Sequence, residues 1–172
     1  MKFNYGDTLR VRNDLYTILG KIRYIDTRRR IWCKYKLVKH KNNAEFWLCW
    51  DKNRGVYQFT KLCGKVMPSN MNLVHRGYQI AIGTRGDIDI DIADAARYEE
   101  YEDDNGTHTF TIEKGAHKTE YLKGVYIEKQ YVSLEKNVEL TKPILEKMDT
   151  IKKMRFIGPI IWFLANLLNN KR

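Results

Sequence analysis

The sequence has little of what marks several common protein classes. It contains only three prolines and eleven glycines in 172 residues, which excludes a low-complexity linker protein. Its cysteines, Cys33, Cys49 and Cys63, form no C-x-x-C pair and have no histidine at a metal-ligand spacing. This pattern predicts reduced, buried thiols in a cytoplasmic protein. The N-terminus lacks an apolar run with a cleavage site, so we expect no secretion signal there.

Motifs for catalysis and cofactor binding are also missing. No G-x-S-x-G, H-E-x-x-H or phosphate-cradling glycine loop occurs. His108 and His117 flank Glu113, but His108 falls in phase with Phe110 and Ile112, as a strand residue would. The sequence therefore predicts a protein that is not an enzyme and that uses no cofactor and no metal.

An alternating acidic run superficially resembles a calcium loop. Such a loop requires glycine at its sixth position and a carboxylate at its twelfth. Counted from Asp87, these positions are Ile92 and Tyr98. The run instead alternates aspartate with isoleucine, which predicts a half-buried strand over residues 86–93. Its like charges repel, so we expect basic neighbours to neutralise them.

Apolar and aromatic residues are abundant, at 43% and 12% of the chain, and they are enough to bury a core. Their alternation predicts short strands with tight turns. Within the strand from Tyr16 to Tyr24, the apolar side chains of Tyr16, Ile18, Ile22 and Tyr24 are predicted to share one face. A similar strand pattern occurs twice, once from Lys21 to Phe59 and again from Ala96 to Glu128.

The predicted fold class is mainly β. We expect two related small antiparallel modules, barrel-like or built from bent sheets, that pack together. Residues 1–65 form the basic module and residues 73–138 the second, with an acidic entry segment. Thr141 and Pro143 predict the start of a C-terminal helical tail over residues 141–172.

Charge is segregated along the chain. Residues 1–65 carry sixteen Lys/Arg against five Asp/Glu, whereas residues 66–104 carry three against nine. A cluster of cations and aromatic rings in the first module suits phosphates and stacked bases, and it gives the candidate binding residues Arg28, Arg29, Arg30, Trp32, Lys34, Tyr35 and Lys36. The alternative is a charged edge that prevents sheets from aggregating.

The tail offers a second candidate surface. Its apolar run over residues 156–168 is shorter than the about 20 residues of a membrane-spanning helix. Flanking cations and two aromatic residues favour an anionic membrane surface, but the run also suits packing on the protein's own sheet or on a partner. The candidate residues are Lys152, Lys153, Arg155, Phe156, Ile160, Trp162, Phe163, Leu164 and Leu167.

The chain resembles a bacterial family known as domain of unknown function 4178. The similarity covers residues 6–135 and lies in short segments whose order is more specific than any one of them. They are Gly6-Asp7, Tyr16 to Gly20, Trp32-x-x-Tyr35-x-Leu37, Phe46 to Leu48, Ala96 to Glu102, Ile112-Glu113 and Glu120 to Gly124. The resemblance implies a β-rich double module, often encoded near membrane-associated or stress-type proteins. It implies no catalytic residues.

These features together predict a non-enzymatic interaction module that binds a protein partner at or near a membrane surface. We expect it in the cytoplasm, at the inner face of the membrane when it is bound there. One alternative is a β module that binds single-stranded nucleic acid through its basic cluster. Another is a small inhibitory, immunity-type protein that neutralises another protein.

Overall fold

The computed structural model of this protein describes residues 3–136, 138–140 and 143–149. Its strands are β1 Thr8–Val11, β2 Asp14–Asp26, β3 Ile31–Lys39, β4 Glu45–Asp51, β5 Val56–Leu62, β6 Met71–Gly86, β7 Ala95–Asp103, β8 His108–Gly115, β9 Thr119–Glu128 and β10 Val132–Glu135. A 3₁₀ turn, Lys129–Tyr131, precedes β10, and residues 143–149 form a short helix, α1. The predicted mainly β fold with a C-terminal helix is confirmed.

Eight of these strands close into an antiparallel barrel. Neighbours follow the order β2, β3, β4, β5, β9, β8, β7 and β6, and β6 pairs back onto β2. Strand β2 is long enough to serve two partners: Asp14 to Thr17 pair with β1, and Gly20 to Asp26 pair with β6. Strands β1 and β10 extend the sheet beyond the barrel. The strands of residues 1–65 and 73–138 therefore join in one sheet.

A bulge between Ile18 and Gly20 reverses the faces of β2. Before the bulge, Ile18 lies opposite Leu37 of β3, whereas after it Ile22 lies opposite Lys34. Leu37 and Lys34 point to opposite faces of β3, because side chains alternate along a strand. The predicted single apolar face of β2 is therefore wrong, since one extra residue switches every later side chain to the other face.

One face of the sheet carries the dry core, which lies outside the barrel. Strands β1 and β10 fold over it, and it consists of Phe3, Leu9, Val11, Tyr16, Ile18, Tyr35, Leu37, Leu48, Tyr57, Ile127 and Val132. Phe46 and Phe59 stack at its margin with ring centroids 4.9 Å apart. Each fully buried apolar side chain contributes about 1.5–3 kcal/mol. This core leaves the opposite face of β2 to β5 for the barrel interior.

The segment after β6 is a plug. Gly86 ends β6 with a φ of 84°, and residues 87–94 are irregular, so the strand predicted over 86–93 is wrong. Backbone hydrogen bonds tie this segment to β2 and β6, because the Asp87 N–H donates to the Leu19 carbonyl (2.7 Å) and the Ala93 N–H donates to the Ala81 carbonyl (2.8 Å). No continuous ladder forms, and the segment crosses one end of the barrel.

The predicted alternation of acidic and apolar side chains nevertheless holds in the plug. Ile88 and Ile90 pack on a cluster at this end of the barrel that contains Ile22, Tyr24, Ala81, Trp32 and Trp47. Two of the aspartates find basic partners, as expected: Asp87 pairs with Lys36 (2.8 Å) and Asp89 pairs with Lys118 (2.9 Å). Apolar packing inside and ion pairs outside together close this end.

The described part of helix α1, residues 143–149, lies within the helical tail predicted over residues 141–172. Ile144 is fully buried against Leu19 and Val38, and Lys147 reaches Glu45 at 3.1 Å. Within the described residues, no helix combines the length and apolar character that a membrane crossing requires.

Candidate functional site: a charged cavity inside the barrel

The barrel interior contains a cavity of about 770 Å³. This size lies in the range of small-molecule sites, roughly 300–1,000 Å³. The plug closes one end, and exposed residues of the loops that follow β2 and β4 surround the other end, among them Arg30, Lys52, Asn53 and Arg54. The cavity therefore has an apolar floor and a charged mouth.

The alternation of the strands explains why charged groups line the cavity. The dry core takes one side chain in two from β3, β4 and β5, and the intervening side chains must face the lumen. Strands β7 and β8 contribute a second polar wall by the same rule. The lining includes Trp32, Lys34, Trp47, Cys49, Gln58, Thr60, Tyr98, Glu100, Glu102, Thr111, Glu113 and Tyr126.

An ion pair spans the lumen. Lys34 of β3 donates to both carboxylate oxygens of Glu113 on β8, at 2.7 and 2.8 Å. Strands β3 and β8 lie on opposite sides of the barrel, so this contact fixes the width of the cavity. The two side chains are only 9% and 13% exposed, and Lys34 Nζ also lies 4.8 Å from the centre of the Trp47 ring. A pair this sheltered requires both partners, because either one alone would leave a buried charge.

A second ion pair lies at the mouth. Arg54 reaches Glu102 at 2.7 Å, and the Tyr126 hydroxyl donates to the same carboxylate at 2.8 Å. The guanidinium of Arg54 also stacks over the Tyr126 ring, 4.7 Å from its centre. Burial, together with the hydrogen bond to Glu102, raises the pKa of Tyr126, so its hydroxyl stays a donor. These contacts anchor the turn between β4 and β5 over the cavity.

The third ion pair, at the mouth, joins Arg30 to Asp26. Burial disfavours its ionised form, but the backbone and side chain of Arg30 donate hydrogen bonds that outweigh burial and lower the pKa of Asp26. Arg30 also lies 2.7 Å from His75 Nε2. Burial and the nearby positive charge of Arg30 lower the pKa of His75, which favours the neutral ring as the acceptor in this contact. Arg30 is thus held by two neighbours.

Glu100 differs from these paired groups. It lies on β7 and lines the cavity, yet its carboxylate has no hydrogen bond or ion pair within the part of the chain that the structure describes. Loss of hydration, followed by the negative charge of Glu113, raises the pKa of Glu100 to about 7. Near neutral pH, this carboxyl therefore exchanges between the neutral and ionised forms.

The candidate residues of the basic cluster separate into different environments. Arg30, Trp32 and Lys34 line the cavity. Lys36 pairs with Asp87 and Glu45 near the plug. Arg28 and Arg29 are exposed on the loop after β2. The cluster therefore does not form one continuous surface.

The position of Tyr35 does not fit its predicted role in stacking against bases. Its ring is 3% exposed and packs in the dry core, where it contacts Phe3 edge to face at 5.6 Å. A base could not stack on this ring, because core side chains already cover it. The tail candidates, Lys152 to Leu167, lie outside the described residues.

Sequence reasoning missed the acidic half of the site. Glu100, Glu102 and Glu113 stand in β7 and β8, far along the chain from the basic cluster, and only the closure of the barrel brings them to Lys34 and Arg54. One signal was present: Glu100 and Glu102 share a strand face with Tyr98. Charged residues on the face of a buried aromatic ring indicate a polar interior.

The thiols and the potential metal ligands of the described residues complete the chemistry of the site. Burial raises the pKa of the Cys49 thiol, which keeps it protonated and weakly nucleophilic. The thiols of Cys33, Cys49 and Cys63 are free, as predicted, and each is partly buried. Among the described residues, no three His, Cys, Asp or Glu side chains converge to hold a metal ion.

Comparisons with protein-family models, curated proteins and solved structures give no match to this chain. Its resemblance to domain of unknown function 4178 stays a prediction.

Proposed function

We propose that this protein is a non-enzymatic binding protein that holds a small polar molecule inside its barrel. The observation that carries the proposal is the lumen itself, a cavity of about 770 Å³ lined by aromatic rings and charged side chains. A β barrel with an interior of this size holds one small ligand. Trp32 and Trp47 lie in its wall, so tryptophan fluorescence reports on occupancy.

The free-energy cost of burying charged side chains in the cavity wall supports a binding role. Replacing a buried ion pair by packed apolar residues is often neutral or stabilising, so charged groups in an interior are weak evidence for stability. The barrel nevertheless has Lys34, Glu100, Glu102 and Glu113 where apolar side chains would fill the space. A ligand that contacts this polar lining accounts for its presence.

A filled-lumen variant tests the proposal. Gln58→Trp places a bulky ring in the cavity, and Lys114→Trp places the same ring on the exposed outer face of β8 as the matched control. The full-length protein is measured by native mass spectrometry for co-purified small molecules and by thermal shift with a panel of amines, amino acids, nucleosides and carboxylates. We expect ligands to bind the wild type and Lys114→Trp but not Gln58→Trp. Equal binding by all three proteins would place the ligand elsewhere.

A second function, the binding of a protein partner near a membrane, is favoured by the outer face of β6. Tyr78, Ile80 and Ile82 are 58%, 44% and 36% exposed along this strand. Exposed apolar stripes of this kind mark interaction surfaces. The cationic, apolar tail predicted to assist this binding lies outside the described residues.

Flotation with liposomes tests the membrane part of this second function. Full-length wild type and a Trp162→Ser/Phe163→Ser variant are compared on phosphatidylglycerol and on phosphatidylcholine vesicles. We expect the wild type to float with the anionic vesicles and the variant to remain in the soluble fraction. Flotation of neither protein, or of both equally, would contradict the role of the tail.

A further inference from the structure

One carboxylate of the cavity stands apart from the ion pairs around it. Three of the basic side chains that line the cavity have acidic partners: Lys34 has Glu113, Arg54 has Glu102 and Arg30 has Asp26. The fourth, Lys52, is exposed at the mouth. Glu100 is left over in the lumen. In the described ranges, its carboxylate has neither an ion-pair nor a hydrogen-bond partner, although protein surrounds it. A largely desolvated carboxylate that opens onto a cavity is a suitable partner for a positive or hydrogen-donating group from outside the chain.

The surroundings of Glu100 sharpen this requirement. Its neighbours across the sheet are His75 on β6 and Thr111 on β8, and Glu102 and Tyr98 lie beside it on β7. From farther around the barrel, Glu113, Asp51, Lys34 and Cys49 complete the groups that line this part of the cavity. Three of these neighbours are carboxylates, and Lys34 is already committed to Glu113. The local field therefore favours a cation and opposes an anion.

The walls near this carboxylate suit an organic cation. Trp47 and Tyr126 already accept cations on their faces, from Lys34 at 4.8 Å and from Arg54 at 4.7 Å. Trp32 and Tyr98 also line the cavity. Aromatic faces and a carboxylate together are the usual means by which proteins hold ammonium and guanidinium groups. A volume of about 770 Å³ accommodates a whole organic molecule.

The same wall offers one further unsatisfied group. Gln79 of β6 lines the cavity, is 3% exposed, and its Nε2 has no hydrogen-bond partner among the described residues. A buried amide donor without an acceptor costs roughly 1–3 kcal/mol. The interior thus has hydrogen-bonding capacity left over at two side chains, one acidic and one amide.

We propose that the ligand of the barrel is a small organic cation, an amine or a guanidinium compound, whose charged group binds Glu100. The inference rests on the proposed function, because it assumes that the lumen is the binding site. It adds the chemical class of the ligand and the residue that selects it. The aromatic walls hold the remainder of the ligand.

A pH dependence follows from the ionisation of Glu100. Only the ionised carboxylate pairs with the cation, and its pKa in the free protein is about 7. The ionised fraction rises about tenfold between pH 6 and pH 8, and the apparent affinity scales with that fraction. His75 lies opposite Glu100, and burial and Arg30 lower its pKa, so its titration is shifted toward lower pH than that of an ordinary histidine. Binding of a cation at pH 6.5 also releases a proton.

Three matched probes test the inference: 2-phenylethylamine as the cation, 2-phenylethanol as its neutral analogue and 3-phenylpropanoate as the anion. Each is titrated calorimetrically into the full-length protein at pH 6 and pH 8, and at pH 6.5 in two buffers of different ionisation enthalpy. The variants are Glu100→Gln and, as the control, Glu99→Gln, whose residue pairs with Arg97 outside the barrel. We expect the amine alone to bind, about tenfold more tightly at pH 8, with proton release. We expect Glu100→Gln to lose at least tenfold in affinity and the control to lose none.

Other outcomes overturn the inference in distinguishable ways. If the neutral or anionic probe binds more tightly, and Gln58→Trp blocks it, the cation assignment falls but the barrel remains a binding site. If the amine binds equally to wild type and Glu100→Gln, then Glu100 is not its partner. If no probe binds and Gln58→Trp also fails to change co-purified ligands, the proposed function falls as well.

Discussion

The same strands, β3 to β5, present two opposite interiors. On one face, Leu37, Leu48 and Tyr57 are fully or almost fully buried in the dry core. On the other face, Lys34, Cys49 and Gln58 line the cavity; Lys34 is three residues from Leu37, and the other two directly follow Leu48 and Tyr57. The cavity opens at its mouth, but the pair of Lys34 with Glu113 is only 9% and 13% exposed, so exposure to bulk water does not by itself explain the difference in polarity. The difference supports the proposal that one face packs and the other contacts a ligand.

This contrast separates the contributions to stability from those to binding. The dry core has close aromatic contacts, such as the edge-to-face contacts of Tyr16 with Phe46 and with Phe59, both at 5.5 Å. The lumen has volume, ion pairs and an unpartnered carboxylate. Substitutions on the two faces should therefore differ both in magnitude and in sign.

The largest effect is expected in the dry core. Leu48→Ala removes a fully buried side chain and leaves a space between tightly packed rings, so we expect it to lower the free energy of unfolding by about 4 kcal/mol. Cys49→Ala, at the next position and facing the cavity, is the matched control and should cost less than about 1 kcal/mol. Urea denaturation followed by tryptophan fluorescence measures both values. Equal losses would mean that the lumen is packed like the core.

The next effect concerns the ion pair across the lumen. Lys34→Ala leaves Glu113 without its partner, and we expect a loss of about 3 kcal/mol. The double variant Lys34→Met/Glu113→Leu should recover most of that stability, because no charge is left unpaired. Urea denaturation of both variants at pH 7 provides the values. A double variant no more stable than Lys34→Ala would show that the pair is itself a net source of stability.

A smaller effect, opposite in sign, is expected at Glu100. Its pKa is raised from an ordinary value of 4.5 to about 7 in the folded protein. The folded state therefore binds a proton more tightly, so this group contributes stability below about pH 4.5 that is lost as the pH rises through 7. Between pH 5 and pH 8 the loss is about 2.5 kcal/mol.

The variant Glu100→Gln tests this dependence, since it stays neutral. We expect the free energy of unfolding of this variant, measured relative to that of the wild type, to increase by about 2.5 kcal/mol from pH 5 to pH 8. His75 and His40, whose pKa values are lowered by burial, titrate in the same range in both proteins, so only the difference between them is informative. Parallel pH profiles for the two proteins would show that Glu100 is well hydrated.

Much of this architecture could be predicted from local sequence. The alternation of Leu9 and Val11 and the turn from Asp103 to Gly106 are determined by neighbouring residues, and the structure has both. The plug could not be predicted as such, because its isoleucine–aspartate alternation also fits a strand. What distinguishes it is the positive φ of Gly86 and the side-chain packing of Ile88 beside Gly20, where a Cβ would clash.

The candidate site depends on closure of the barrel, which the sequence does not reveal. Lys34 and Glu113 are 79 positions apart, and nothing local to either residue names the other. The pairing of β6 with β2, which places them across one lumen, is a long-range contact that starts at Gly20, directly after the bulge. The basic half of the site was visible as a run of cations. The acidic half lies in segments whose sequence indicates only β-strands, with no sign of a site.

The smallest effect is expected at the mouth, where two arginines of one loop have different roles. Arg30 holds the buried carboxylate of Asp26 and contacts His75, whereas the side chain of Arg28 is exposed and only its backbone N–H bonds to Asp26. Since Arg30 is itself well exposed, we expect Arg30→Ala to cost about 1 kcal/mol, and Arg28→Ala to change the free energy of unfolding by less than about 0.5 kcal/mol. Urea denaturation distinguishes the two variants.

The single-stranded nucleic-acid alternative predicts that both substitutions weaken binding to an oligonucleotide and reduce its salt dependence, because phosphate contacts do not depend on how an arginine is held in the free protein. If Arg28→Ala leaves the affinity for the oligonucleotide unchanged, the exposed part of the basic cluster does not bind nucleic acid. Arg30 then remains a residue of the cavity mouth.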